Sequence, residues 1–246
     1  EVNLKEKVDL LYVFGWQRLI PEWFIKSCKK GVYGVHGGPL KPPRCRGRAV
    51  FNWAVILGYH RFYMYFFSIT IAADEGDIAQ IVEFDINSDD DILTLYHKNC
   101  IVSSRMFIEA LPKILNGSLK LAKQPGGQTS FLPKRSPQNG GINWEHSAKR
   151  VTNLIRALTK PYPGAFSFIN GVCIHFFRSH IFDTKIQFDN IHPGEIIEVF
   201  PNGDFIVATG DLPLYVREYD VDKEVKLKKG QKFDLVSGEQ LQDPFI

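Results

Sequence analysis

His36 and Asp74 are the residues of this sequence best suited to moving protons. His36 stands in Gly34-Val-His-Gly-Gly-Pro39, where a strand gives way to a glycine-rich loop. An imidazole titrates near pH ~6.5, so it can accept and return a proton close to neutrality. Asp74 opens Asp74-Glu-Gly-Asp77 directly after a long apolar run, which places a carboxylate at a strand end. Gly76 permits a sharp turn or a close backbone approach there. Each segment also has a plain structural reading: a loop histidine bonded to a carbonyl, and an Asx-type turn opening the next strand. At two strand ends of one sheet, the two side chains could form an acid–base pair in which the carboxylate holds and polarises the imidazole.

Arg44-Cys-Arg-Gly-Arg48 sets three guanidinium groups close together. Such a cluster can grip a diphosphate or a carboxylate through paired N–H donors, or it can be a solvated turn. Cys45 has no partner base that would make it a nucleophile. The GxxxxGK[ST] phosphate loop and the GxGxxG dinucleotide fingerprint are both missing. The scattered histidines have no metal-ligand spacing, so no metal is expected.

The elements that must carry these residues alternate. A β-rich run over 9–14 ends at Gly15, and 21–31 reads as a short helix with Pro near its first turn and Gly as its stop. Residues 32–35 form a second strand candidate, 49–57 a helix, 62–72 and 78–84 two further strands. Residues 91–115 form a long helix with Leu93, Leu95, Tyr96, Ile101, Met106, Phe107 and Leu111 on its apolar face. This order predicts an open α/β sheet with its site at the carboxyl ends of the strands. The polar stretch 120–141 reads as a loop. Asn143 is the expected cap of a helix over 146–158, and Pro161 stops it. After Gly164 the pattern changes to short strands at 166–169, 172–177, 195–200, 204–208 and 214–219, which reads as a small, partly closed β domain. The expected domains are a core over 1–164, including the helical linker, and a β-barrel-like unit over 165–246.

Composition narrows the class. Lys and Arg exceed Asp and Glu by only 30 to 27, a balance that gives no general attraction to nucleic acid. The four cysteines form no CxxC pair and read as reduced thiols of a cytoplasmic protein. No apolar run approaches the ~20 residues a membrane helix needs.

Several segments, in order, resemble the formyltransferases that use 10-formyltetrahydrofolate. They are Gly15-Trp-Gln-Arg-Leu-Ile-Pro21, Gly34-Val-His36, Pro43-Arg-Cys-Arg-Gly47, Asn52-Trp-Ala-Val-Ile-Leu-Gly58, Asp74-Glu-Gly-Asp-Ile78, Pro133-Lys-Arg135 and Ile142-Asn-Trp144. The most specific is Asn153-Leu-Ile-Arg-Ala-Leu-Thr-Lys-Pro-Tyr-Pro-Gly-Ala165. The resemblance implies that His36 and Asp74 are the catalytic histidine and aspartate. It implies that Trp16, Gln17, Arg18, Leu19, Ile20 and Pro21 border the folate pocket, and that Arg44, Arg46, Arg48 and Asn52 meet the acceptor. Gly34 stands where the family has an asparagine that binds the formyl oxygen, and loss of such a donor costs roughly 3–4 kcal/mol in other enzymes. Asn52 is the expected substitute. The resemblance further implies a nucleotide-fold sheet entered after its N-terminal half, completed by missing residues or by a homodimer. The implied reaction moves a formyl group to the primary amine of a nucleotide-linked amino sugar in a polysaccharide pathway. Methionyl-tRNA is the alternative acceptor, and a non-catalytic, ligand-binding relative is the alternative class. The mixed basic run over 223–232 is short for a tRNA surface.

Overall fold

The computed structural model describes residues 8–16, 18–221, 225–234 and 236. Two compact units are interleaved along the chain. The first holds Glu1–Val50, His60–Asn87 and Leu95–Lys134, and the second holds Phe51–Tyr59, Ser88–Thr94 and Arg135–Ile246. The linker helix expected to go with the catalytic core therefore lies in the second unit. Among the described residues no helix is long and apolar enough to cross a membrane.

The first unit is built on a four-stranded sheet of order β1-β2-β4-β5: β1 (Leu11–Val13), β2 (Val32–Gly38), β4 (Arg61–Ser68) and β5 (Ile78–Asp85). Strands β1 and β2 run parallel, joined through the short helix α1 (Glu22–Ser27), while β2–β4 and β4–β5 are antiparallel. The sheet is thus mixed. Phe62, Met64 and Phe66 point to one face of β4 while Tyr65 and Phe67 point to the other, and all five are buried. That is why β4 reads as a continuous apolar run rather than an alternating one. Strand β5, on the sheet's edge, alternates instead, and its Glu83 and Asp85 pair with Arg61 on β4.

The polar stretch after 120 is not wholly irregular. Strands β3 (Arg46–Gly47) and β6 (Phe131–Leu132) form a two-stranded parallel pairing that fastens it to the arginine loop. The long helix α3 (Ile92–Leu115) buries Ile92, Leu95, Met106, Ala110 and Ile114, whereas Leu93 and Ile101 are exposed. Its inner face is therefore turned by about one residue from the expected one. Asp91 and Thr94 start it with reciprocal side-chain to backbone bonds of 2.9 and 2.8 Å.

The second unit contains α2 (Val50–Ile56) from Phe51 onward, the helix α4 (Ala148–Leu158) and a five-stranded antiparallel sheet. Its order is β7-β8-β11-β10-β9: β7 (Ala165–Ile169), β8 (Val172–Ile181), β11 (Leu214–Val221), β10 (Phe205–Val207) and β9 (Ile196–Val199). Asn170 and Gly171 both have positive φ, the conformation that a tight two-residue turn between β7 and β8 demands. Residues 230–234 bond both outer strands: Ile196 N–H donates to Gln231 O on one side, and Asp234 N–H to Phe168 O on the other. Trp144, Phe176, Phe205 and Phe233 form the aromatic core beneath. The cap of α4 is Ser147, whose Oγ accepts from Arg150 N–H, and not Asn143, which bonds Glu145 N–H in a local turn.

Candidate active site

His36 does not leave its strand, as the glycines after it suggested. It sits inside β2, directly opposite Tyr65 of β4, and its ring meets the Tyr65 ring edge-on with centroids 5.6 Å apart. The following glycines are instead demanded by packing: a Cβ at Gly37 would lie 2.5 Å from the Phe62 ring, and one at Gly38 2.4 Å from Cys45 Cβ. Strand β2 can lie against those side chains only without side chains of its own at 37 and 38.

His36 Nε2 faces two oxygens, the Cys45 carbonyl at 3.4 Å and Asp74 Oδ2 at 3.7 Å. Two acceptors around one ring nitrogen fix the tautomer, with hydrogen on Nε2 and the basic lone pair on Nδ1. Burial lowers the His36 pKa from its ordinary value, opposed by the Asp74 charge and the Cys45 bond, with Arg46 lowering it further. The resting imidazole is therefore neutral at pH ~7 and ready to accept a proton. The two side chains keep 16% and 21% of their exposure, so a small molecule can reach them.

Both residues that face Nε2 have left-handed backbone, with φ of 62° at Cys45 and 56° at Asp74. Such conformations cost about 1–3 kcal/mol each and persist where surrounding contacts impose them. Those contacts are visible. Gln124 Nε2 donates to the Asp74 and Gly76 carbonyls at 2.7 and 2.9 Å, clasping the turn from both ends. Arg46 donates to Gln124 Oε1 at 3.0 Å and to Glu75 Oε1 at 2.7 Å. Gly47 N–H reaches Asp74 Oδ2 at 3.5 Å, and Ser130 Oγ accepts from Cys45 N–H at 3.1 Å. Gly76 packs so tightly that a Cβ there would fall 1.5 Å from Ser68 O.

The remaining expected residues divide. Arg44 and Arg48 are exposed, but Arg46 is buried at 6% and its guanidinium holds Glu75 and Gln124, so it builds the turn rather than receiving an acceptor. Asn52 belongs to the second unit and is 2% exposed; its amide donates to Ala157 O at 2.9 Å and its Oδ1 accepts from Tyr162. It is committed to packing there, not to replacing a donor at Gly34. At Gly34 itself a Cβ would lie 2.9 Å from Ile69 Cδ1, so Ile69 takes the space a side chain would need. Trp16, Arg18, Leu19 and Pro21 are exposed and Ile20 is half-buried in the loop that follows β1; Gln17 and residues 223–224 of the basic run lie outside the described residues. Because β1 and β2 are parallel, that loop leaves the sheet at the end that carries His36.

Comparison with known proteins follows the same geometry. Residues 134–231 match the formyl transferase C-terminal domain. Over 198 residues the chain is 33% identical to the bifunctional polymyxin resistance protein ArnA of Wigglesworthia glossinidia brevipalpis, a match covering 80% of this chain. Residues 134–231 thus form a formyl transferase C-terminal domain. The chain spans 29% of the length of that ArnA. In fold, the chain resembles HypX from Aquifex aeolicus in complex with tetrahydrofolic acid, with TM-score 0.68 at 20% identity over 87% of this chain and 36% of that one. It also resembles the N-formyltransferase from Helicobacter canadensis in complex with folinic acid and dTDP-3-aminofucose, with TM-score 0.66 at 18% identity over 88% of this chain and 77% of that one. A mixed α/β sheet followed by a β-rich unit is therefore the formyltransferase architecture that the sequence implied.

Proposed function

We propose that this chain transfers a formyl group from 10-formyltetrahydrofolate to the primary amine of a nucleotide-linked amino sugar. The observation that carries the reading is the His36 imidazole with its Nε2 facing Cys45 O at 3.4 Å and Asp74 Oδ2 at 3.7 Å, which leaves Nδ1 as the basic atom. The amine nitrogen adds to the formyl carbon, and the carbonyl electrons move onto oxygen to give a tetrahedral alkoxide. His36 Nδ1 takes the proton released by the amine. Asp74 stabilises the imidazolium that results. Collapse of the alkoxide breaks the bond from carbon to folate N10, and His36, or a water it orients, returns a proton to that nitrogen. The products are the formamide and tetrahydrofolate.

The exposed Trp16, Leu19 and Pro21 suit one face of a pterin, and exposed Arg44 and Arg48 suit the diphosphate of a nucleotide sugar. The folate and the dTDP-sugar bound by the similar folds favour the same pair of substrates. Cysteines that form no disulfide among the described residues suit a cytoplasmic setting. The test supplies the chain with 10-formyltetrahydrofolate and either a dTDP- or UDP-linked amino sugar or methionyl-tRNA, and follows the formylated product by mass. The sugar nucleotide is expected to be formylated. Formylation of the tRNA alone would sink the choice of acceptor.

A further inference from the structure

Tyr65 is the largest polar side chain buried beside the site, and nothing in the proton-transfer scheme uses it. It is 1% exposed, and its hydroxyl has no hydrogen-bond partner among the described residues. Buried phenols nearly always have one, because leaving such a group unpaired is destabilising. Its place is equally specific. As the register partner of His36 it projects from the same face of the sheet, and its ring lies against the imidazole. Burial and then the Asp74 charge push its pKa well above the ordinary value, so the phenol keeps its proton and can only improve as a donor when negative charge develops nearby.

Addition of an amine to a formyl carbon creates such a charge on oxygen, and a donor aimed at that oxygen is needed. Most donors around His36 are already spent. Gln124 Nε2 serves the Asp74 and Gly76 carbonyls, Gly47 N–H serves Asp74, and Arg46 holds Glu75 and Gln124. Gly34 offers no side chain. We propose that the Tyr65 hydroxyl donates a hydrogen bond to the formyl oxygen as it becomes an alkoxide. Tyr65 keeps its proton throughout; the electron pair from the carbonyl rests on oxygen and returns to carbon when the bond to folate N10 breaks. This role rests on the formyl-transfer reading.

Tyr65→Phe keeps the ring and removes the donor. Its kcat is expected to fall about 10²–10³-fold, with KM changed by less than about threefold. Its melting temperature is expected to hold or rise, since an unpaired buried hydroxyl is lost. A merely structural tyrosine would show the opposite, a lower melting temperature with kcat preserved, and that result overturns the inference. If wild type turns over and His36→Ala does not, a Tyr65→Phe variant as fast as wild type overturns the role of Tyr65 alone. A wild-type chain without turnover overturns the formyl-transfer reading and this inference with it. Should Tyr65→Phe fail to fold, site-specific 3-fluorotyrosine at 65 decides. Its more acidic hydroxyl is expected to change kcat severalfold, and an unchanged kcat removes the donor from the reaction.

Discussion

A histidine serves as a base only if its lone pair is available at working pH, and at His36 the pocket arranges this by burial. The depressed pKa keeps the ring neutral, and Asp74 moderates the depression while waiting to stabilise the imidazolium. Asp74→Asn separates these effects. Without the carboxylate only the Cys45 carbonyl supports the charged ring, so kcat is expected to fall about 10²–10⁴-fold. The lost charge also lowers the His36 pKa further. The acid limb of the kcat/KM profile, already below pH ~6.5 in the wild type, should therefore move to lower pH. A profile that moves upward would contradict the assignment. The types of His36 and Asp74 announce this chemistry in the sequence. Tyr65 gives no such sign, because within an apolar run its hydroxyl is indistinguishable from another core ring until the register sets it opposite His36.

At the scale of elements, the 74–77 turn is the part that must be held in place. It carries Asp74 in a left-handed conformation, folds Gly76 against Ser68 O and is clasped by Gln124. Gly76→Ala would force the backbone apart at Ser68 and is expected to destabilise the chain by about 1–3 kcal/mol or more, read as a lower urea midpoint. Gln124→Leu removes both clasping bonds and leaves Arg46 and two carbonyls short of partners. A loss of about 2 kcal/mol, together with a lower kcat, is expected. Wild-type stability in either variant would mean that the turn is held by something else. Apolar runs made β4 and β5 legible beforehand, and the Pro161 stop made α4 so although its cap is Ser147 rather than Asn143, but Gln124 lies in a polar stretch without periodicity. Its role depends on the pairing of β3 with β6, a contact that no local pattern encodes. Arg46 looked like its neighbours Arg44 and Arg48, and only that pairing turns it inward.

Across the whole molecule, three histidines, His36, His146 and His180, have pKa values lowered chiefly by burial. Between those lowered values and ~6.5 the unfolded chain binds more protons than the folded one, so stability falls as pH falls through that window. Melting temperature should drop between about pH 7.5 and 5.5, and one that rose would contradict the depressed values. Phe233 joins the aromatic core of the second unit from the segment that bonds both outer strands. Phe233→Ala is expected to cost about 3–5 kcal/mol. The composition of this unit, short strands after Gly164, was readable as β from the start. The closing segment was not, since its partners lie far away along the chain.

The most direct test compares formyl transfer from 10-formyltetrahydrofolate by the wild-type chain and by His36→Ala, with melting temperatures measured beside the rates. The wild type is expected to release tetrahydrofolate and N-formyl sugar nucleotide, and the variant to lose about 10²–10⁴-fold in kcat while remaining folded. Equal rates from the two proteins would contradict the role of His36 as the base.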